Sequence, residues 1–427
     1  MQKRSLSITF GSMRWIFWMM ISVMSLQAQT DLRYEDYVYL PHIKSVKFHH
    51  EGLFTSTPIV DLSSGGQLLL SFDDILGGDI TYTYQVLHCD KDWRPSDIDE
   101  YDYIDGFNEE EIERWSYSNG VKMDYTHYEL YLPNSNLNWL LSGNYLLIVR
   151  DEETDEIALT RRFMVVDPQV QIFSEVKRPI AATKIKTHHQ IELGVNYKNF
   201  NIVNPQREIY VTILKNGQWH DAMTDIQPKF TTGYDMQFDL ANRILFPAGR
   251  EYRFADLRSV RYPGARIHSI DRRPDGYDAI LNLDKSRQYA NYFDYDDLNG
   301  NYIVETQDLN NNDLQSEYID VHFTLEDKNP PQDADIYVVG AFNDWQLREE
   351  NRLDYNIKLQ SYIGSILLKQ GYYDYQYVVE QDGDINYEYY EGNTYKTRNQ
   401  YTILVYYRAF SERYDQLIAV QTIDSRF

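Results

Sequence analysis

Polar and apolar positions alternate through much of this chain. From Ile80 to Cys89 the alternation puts Tyr82, Tyr84, Val86 and His88 on one side and Thr81, Thr83, Gln85 and Leu87 on the other, the period of two expected of a half-buried strand. Similar segments at Ile43–Phe48, Gln67–Asp73, Tyr128–Leu132, Tyr145–Arg150 and Ala158–Val166 are punctuated by turn signals at Ser63–Gly66, Gly77–Gly78 and Ser142–Gly143. Short strands so spaced predict a two-sheet sandwich, with its exit at Asp167-Pro168 because proline cannot continue a ladder. A second unit is predicted where Ile191, Leu193, Val195 and Tyr197 oppose Gln190, Glu192 and Asn196, and where Ile209, Val211 and Ile213 run into Asn216-Gly217, a strong hairpin signal. It continues through Tyr252–Leu257, the Pro274-Asp275-Gly276 turn, Ala279–Leu283 and Ile319–Leu325. The polar EDKNPPQDAD at 326–335 reads as a semi-rigid linker, since paired prolines stiffen a chain. The expected architecture is all-β: tandem sandwiches at 29–168, 169–325 and 336–427.

The alternation breaks at Asp90, and an acidic excursion runs to Val121 carrying Trp93, Tyr101, Tyr103, Phe107 and Trp115. Long loops inside compact domains are uncommon and are either functional or disordered; so many aromatics argue against disorder. Lys3 and Arg4, an apolar run from Trp15 to Leu26, and Gln27-Ala28-Gln29 have the order of a secretory leader, residues 1–28, cut after Ala28. The apolar run is short for a bilayer span, and no cysteine near the cut offers a lipid anchor. The mature chain is therefore expected to be exported.

Tyrosine accounts for 38 of 427 residues, a usage that favours strands. A formal charge of −24 excludes a nucleic-acid partner, which needs clustered Lys and Arg. The acidity serves solubility or faces a basic or polar partner surface. An outer-membrane barrel would alternate throughout, whereas Leu146–Val149 and Ile403–Val405 are continuous apolar runs that suit a sandwich interior. Cys89, the only cysteine, ends an apolar strand and reads as a buried structural thiol.

Catalytic signatures are missing: no G-x-S-x-G elbow, P-loop or dinucleotide fingerprint. His50-Glu51 begins like a zinc-protease motif, but Phe54 stands where the second histidine is needed. Adjacent His188 and His189 face opposite sides of a strand and read as solvated residues at its entrance. The loop FDYDDLNGNY, Phe293–Tyr302, masses oxygen ligands, yet with Gly300 at the sixth position an EF-hand would have Tyr295 first and Thr306 last. An Asx-rich turn is the expectation there, with a looser calcium site as the alternative. Asp90, Asp92, Asp97 and Glu109 could supply a glycosidase pair, but their spacing singles out no two. No catalytic residue, cofactor or metal set is assigned.

The segments HCDKDWRPS, IDGFNE at Ile104–Glu109, YTHYELYLPN at Tyr125–Asn134, SGNYLL at Ser142–Leu147 and TRRFMVVD at Thr160–Asp167 resemble the type IX secretion system plug protein family of Bacteroidetes. GNYIVET at Gly300–Thr306 and YIDVHFTL at Tyr318–Leu325 extend the resemblance. It implies a non-enzymatic periplasmic protein on the inner side of the outer membrane that seals the periplasmic mouth of the giant type IX translocon barrel. No dedicated C-terminal sorting domain is recognisable before Phe427, which favours a resident over secreted cargo. On this reading Trp93, Arg94, Tyr101, Phe107 and Trp115 are the expected partner-binding residues, since Trp, Tyr and Arg anchor non-obligate interfaces. GAFNDW at Gly340–Trp345, with GYYDYQYVVEQDGD at Gly371–Asp384, resembles early-set immunoglobulin-like sandwiches that include glycogen-binding modules. That resemblance implies a sugar-stacking role for Trp345, although Ile385 and Asn386 replace the second platform; periplasmic or surface glycan binding is the alternative function.

Overall fold

Tyr82–Cys89 runs through the middle of a sheet, pairing antiparallel with Gly143–Asp151 on one side and with Glu109–Glu111 on the other. Its buried positions are those the alternation assigned, Tyr82, Tyr84, Val86 and His88, with Cys89 also enclosed. The computed structural model describes residues 31–63, 66–238 and 244–426. The leader expected at 1–28 lies outside them, and the described residues from Arg33 onward form one compact unit. It is all-β, as expected, and builds sandwich-like layers around three hydrophobic cores.

The first core lies between the sheet containing Tyr82–Cys89 and a four-stranded sheet ordered Ile43–His50, Leu68–Asp74, Thr126–Leu132, Arg114–Tyr117. Phe72, Tyr82 and Tyr128 interlock at its centre, with centroids 4.9–5.3 Å apart. The excursion after Asp90 is not a loop throughout. It contributes a short helix at Glu100–Tyr103 and three strands, Ile104–Gly106, Glu109–Glu111 and Arg114–Tyr117, the last two forming the outer edges of the two sheets.

The expected boundaries of the second and third units do not follow the sheets. Ile209–Lys215 pairs with Gln400–Tyr407, which pairs in turn with Gln416–Asp424. The last strands of the chain thus complete the second core beside Ile191, Val211 and Ile213. Conversely, Tyr318–Glu326 pairs along its whole length with Ser361–Lys369 and belongs to the third core. The stretch read as a linker is an internal connection: Asp327 is held by Tyr390 (2.7 Å) and Tyr355 (2.8 Å), and its amide donates to Gln360. The cause is topological. A continuous apolar run such as Ile403–Val405 must be covered on both faces, and the second sandwich has the vacant place beside Ile209–Lys215.

Tyrosine is abundant because it fills these cores. Each buried ring removes much apolar area from water, on the order of 2 kcal/mol, provided its hydroxyl finds a partner. Tyr375 and Tyr377 both donate to Asp284 Oδ2, at 2.6 and 2.9 Å. Asp284 is balanced by Arg253 at 2.8 Å, which also grips Glu391 at 2.9 Å. Burial works against the Glu391 carboxylate, but Arg253 and Arg287 overcome it and hold the group down at about 2. His189 is a further correction. It is buried rather than solvated, with Nδ1 on the Tyr401 hydroxyl (2.9 Å) and Nε2 on the Tyr395 carbonyl (2.7 Å).

Candidate interaction surface

The excursion starts with a tight turn. Asp90 Oδ1 accepts the amides of Asp92 and Arg94, both at 2.9 Å, and the Trp93 amide donates to the Asp90 carbonyl. Trp93 takes a φ of 63°, left-handed backbone that a bulky residue adopts only when its surroundings demand it. The surroundings are a seam between the first and second cores. The Trp93 ring is 5% exposed and meets Trp219 edge to face at 5.0 Å, while the Arg162 guanidinium lies 4.6 and 5.3 Å from the two rings. The Lys91 amide donates to Asp415 at 2.9 Å, Tyr406 donates to Asn144 at 2.8 Å, and Asp167 and Gln169 bond to the backbone of Leu417 and Ile418. Burial, helped by Asp90, pushes the neighbouring Cys89 thiol up to about 12, so it stays protonated and unreactive.

Past the turn, chemistry moves to the surface. Asn108 is buried and anchors the chain, its Oδ1 accepting the Val86 amide at 3.0 Å. Gly106 has a φ of 121°, and a Cβ there would lie 1.9 Å from the Asn136 carbonyl, so only glycine fits. These two fixed points turn Tyr101 and Phe107 outward, 79% and 68% exposed. Leu140, whose amide donates to the Tyr103 carbonyl just past the pairing of Ile104–Gly106 with Leu137–Trp139, is 47% exposed. On the edge strand Arg114–Tyr117 of the four-stranded sheet, Trp115 and Tyr117 pack against each other at 5.2 Å and remain 41% and 53% exposed. Glu109, Glu110, Glu111 and Glu113 lie between the two aromatic groups in sequence, the first three on the edge strand beside Tyr82–Cys89, and like charges along an edge discourage unspecific strand addition.

The structure therefore divides the five residues singled out in the sequence. Arg94, Tyr101, Phe107 and Trp115 are exposed, whereas Trp93 is enclosed in the seam. Trp219 and Arg162, its partners, and Tyr117 and Leu140 on the surface escaped sequence reading. The Trp115-x-Tyr117 spacing was the available signal for an aromatic edge strand.

Trp345 follows Asp344, both in left-handed backbone (φ 51° and 53°). Its ring is half-buried, 6.2 Å from His220 and close against Gly300, and it borders a groove of about 880 Å³ shared with Lys47, Phe54 and Arg162. Nearby His220 stacks on Tyr387 at 4.7 Å. In the loop 293–302, Asp297 accepts the amides of Tyr252 (2.6 Å) and Asn299 (3.1 Å), and Asp294 and Asp296 pair with Arg398. Its carboxylates thus serve the chain's own backbone and side chains, as an Asx-rich turn does.

Residues 43–167 match the family model described as type 9 secretion system plug protein 1st domain, the span of the first sandwich. The matched family is a secretion-system component, not a catalytic one. A hypothetical protein from Parabacteroides merdae, known from a crystal structure, is 32% identical, covers 92% of this chain and 100% of its own, and superposes with a TM-score of 0.88. The C-terminal domain of the Streptococcus pyogenes antigen I/II-family protein AspA, at 7% identity over 89% of this chain and 98% of its own, reaches a TM-score of only 0.16. No curated protein matches. The chain belongs to one family with the Parabacteroides merdae protein, and its first sandwich carries the first domain of the type 9 secretion system plug proteins.

Proposed function

We propose that this chain is a non-enzymatic periplasmic plug that closes the periplasmic mouth of the outer-membrane translocon barrel of the type IX secretion system. The observation that carries the reading is the family match over the first sandwich. Two physical features agree with it. A plug must resist deformation, and here three cores are joined by buried seams rather than flexible linkers. It must also detach, which calls for a modest interface of exposed aromatics within a polar, charged rim; the exposed Tyr101, Phe107, Leu140, Trp115 and Tyr117 and the glutamates at 109, 110, 111 and 113 supply groups of both kinds. Arg94 is exposed as well.

The test is capture from native outer membranes with tagged mature chain, followed by conductance of the recovered barrel in planar bilayers. A very large barrel that conducts after the chain is stripped off and closes when it is added back is the expected result. Recovery of polysaccharide without any barrel, or a deletion strain whose outer membrane leaks no more than its parent, would overturn the proposal.

A further inference from the structure

The outer face of the sheet containing Thr126–Leu132 is polar where it meets the third core. His127 and Glu129 share that face, because residues two apart on a strand point the same way. Asp313 reaches them from the short helix Asn312–Gln315, whose position is fixed by Asn311 accepting the amides of Asp313 and Leu314 at 3.0 Å. One imidazole nitrogen and one oxygen from each carboxylate lie within 4.8 Å of one another.

His127 itself points to a ligand. It is 8% exposed, and Nδ1 lies 2.6 Å from Asp73 Oδ1, which leaves Nε2 as the second ring nitrogen; that atom is buried and has no hydrogen-bond partner. Burying such a group unsatisfied costs about 1–3 kcal/mol, and a ligand on Nε2 would remove that cost. A carboxylate that holds one imidazole nitrogen and leaves the other free for an ion is the arrangement that orients a metal-binding histidine. The charge agrees. Asp73, Glu129 and Asp313 bring three negative charges, and Lys369, bonded to Asp73 at 2.6 Å and to the Asp313 carbonyl at 2.7 Å, brings one positive charge. The formal balance of minus two suits a divalent ion better than a single proton. The opposite cation, Arg114, is directed over the Tyr131 ring at 4.7 Å.

We propose that His127 Nε2, Glu129 and Asp313 form a binding site for a divalent transition-metal ion of the zinc class. One imidazole with two carboxylates is a donor set such ions accept, and the exposure of Asp313 leaves a coordination position for water. The ion would tie the first sandwich to the 308–317 segment that borders the third core.

The experiment is calorimetric titration of zinc chloride into the chelator-stripped mature chain, with the same protein loaded with cobalt(II) for its d–d absorption. One ion per chain is expected, with a rise of about 3 °C in the thermal midpoint at saturation. Asp313→Asn and Glu129→Gln should each weaken binding about ten-fold or more, while leaving the midpoint in chelator close to the parent's. Asp313→Asn keeps the backbone carbonyl that Lys369 and Tyr125 use, so it tests ligation and not folding. Absence of saturable binding, or binding unchanged in both variants, would overturn the proposal, the latter because the ion would then sit elsewhere. Charge transfer or d–d bands that vanish in Asp313→Asn would support it.

Discussion

The seams of this molecule and the outer edge of its first sandwich use the same residue types to opposite ends. In the seams, Trp93 is clamped between Trp219 and Arg162, and Asp73 and Lys369 are enclosed, 0% and 1% exposed, with Tyr318 completing the pair at 2.6 Å. On the edge, Phe107 and Trp115 meet only water and a few neighbours. The seam groups are costly to disturb because each would leave a void or an unpaired charge. Edge groups are cheap to disturb because solvent replaces what is lost. A body that must stay rigid while its contacts come and go needs both kinds of surface, segregated.

Lys369→Met should break the comparison hardest on the seam side. It leaves Asp73 buried with Tyr318 and His127 but no cation, and removing one partner of such a pair costs about 3–5 kcal/mol. Denaturant unfolding at pH 7 measures it. The same pair gives an acid limb. Burial pushes Asp73 up, but Lys369 and His127 together outweigh it and hold the carboxyl below its ordinary 3.8. A depressed carboxyl contributes stability above 3.8 that is lost as pH falls through the native value, so the parent should lose stability steeply below pH 4 and the variant less so.

Trp93→Ala should cost about 3 kcal/mol, at the lower end for a buried aromatic because the seam can partly close. Its left-handed backbone adds strain that alanine also bears, so Trp93→Gly should recover part of the loss. Equal stability of the two variants would mean the ring alone matters.

Asp374 sharpens the contrast within the interior, since it has no cation. Its Oδ2 accepts the amides of Leu298 (2.6 Å) and Gly300 (3.1 Å), Oδ1 is unpartnered, and burial together with Asp297 raises the carboxyl to about 8. A raised carboxyl means that the native state keeps a proton the unfolded chain releases. Stability should therefore fall as pH rises from 3.8 to about 8, opposite in sign to the Asp73 limb. Asp374→Asn, whose oxygen can take both amides, should flatten the thermal midpoint over that range; an unchanged slope would assign it to another group.

How far the sequence foretold this depends on whether a residue's partner is local. Tyr82–Cys89 was legible because one face is dry, and the hairpin at Asn216-Gly217 because both residues take positive φ (54° and 72°). Arg114–Tyr117 offered only the Trp115-x-Tyr117 spacing, because an edge strand exposed at every position has no buried face to impose a longer period. Nor could alternation reveal that Gln400–Tyr407 returns to Ile209–Lys215, since pattern marks a strand and not its neighbour. Trp93 and Trp115 look alike along the chain; only the arrival of Trp219 and Arg162 separates them. His127 and Glu129 are close in sequence, but Asp313 comes from beyond the second core.

The smallest effect on stability should come from the edge, and it is the most informative about function. Phe107→Ala and Trp115→Ala remove side chains 68% and 41% exposed, and surface changes of this kind stay within about 0.5 kcal/mol. Exposed aromatics at an interface centre nevertheless carry much of the affinity, each about 2 kcal/mol or more when truncated. The pair should unfold with the parent yet capture at least ~30-fold less barrel from native membranes, which two such losses would more than supply. Trp93→Ala should do the reverse, unfolding early while the folded fraction still binds. If both classes lost binding in proportion to stability, the exposed edge would be ordinary surface, and the docking face would have to lie on the second or third sandwich.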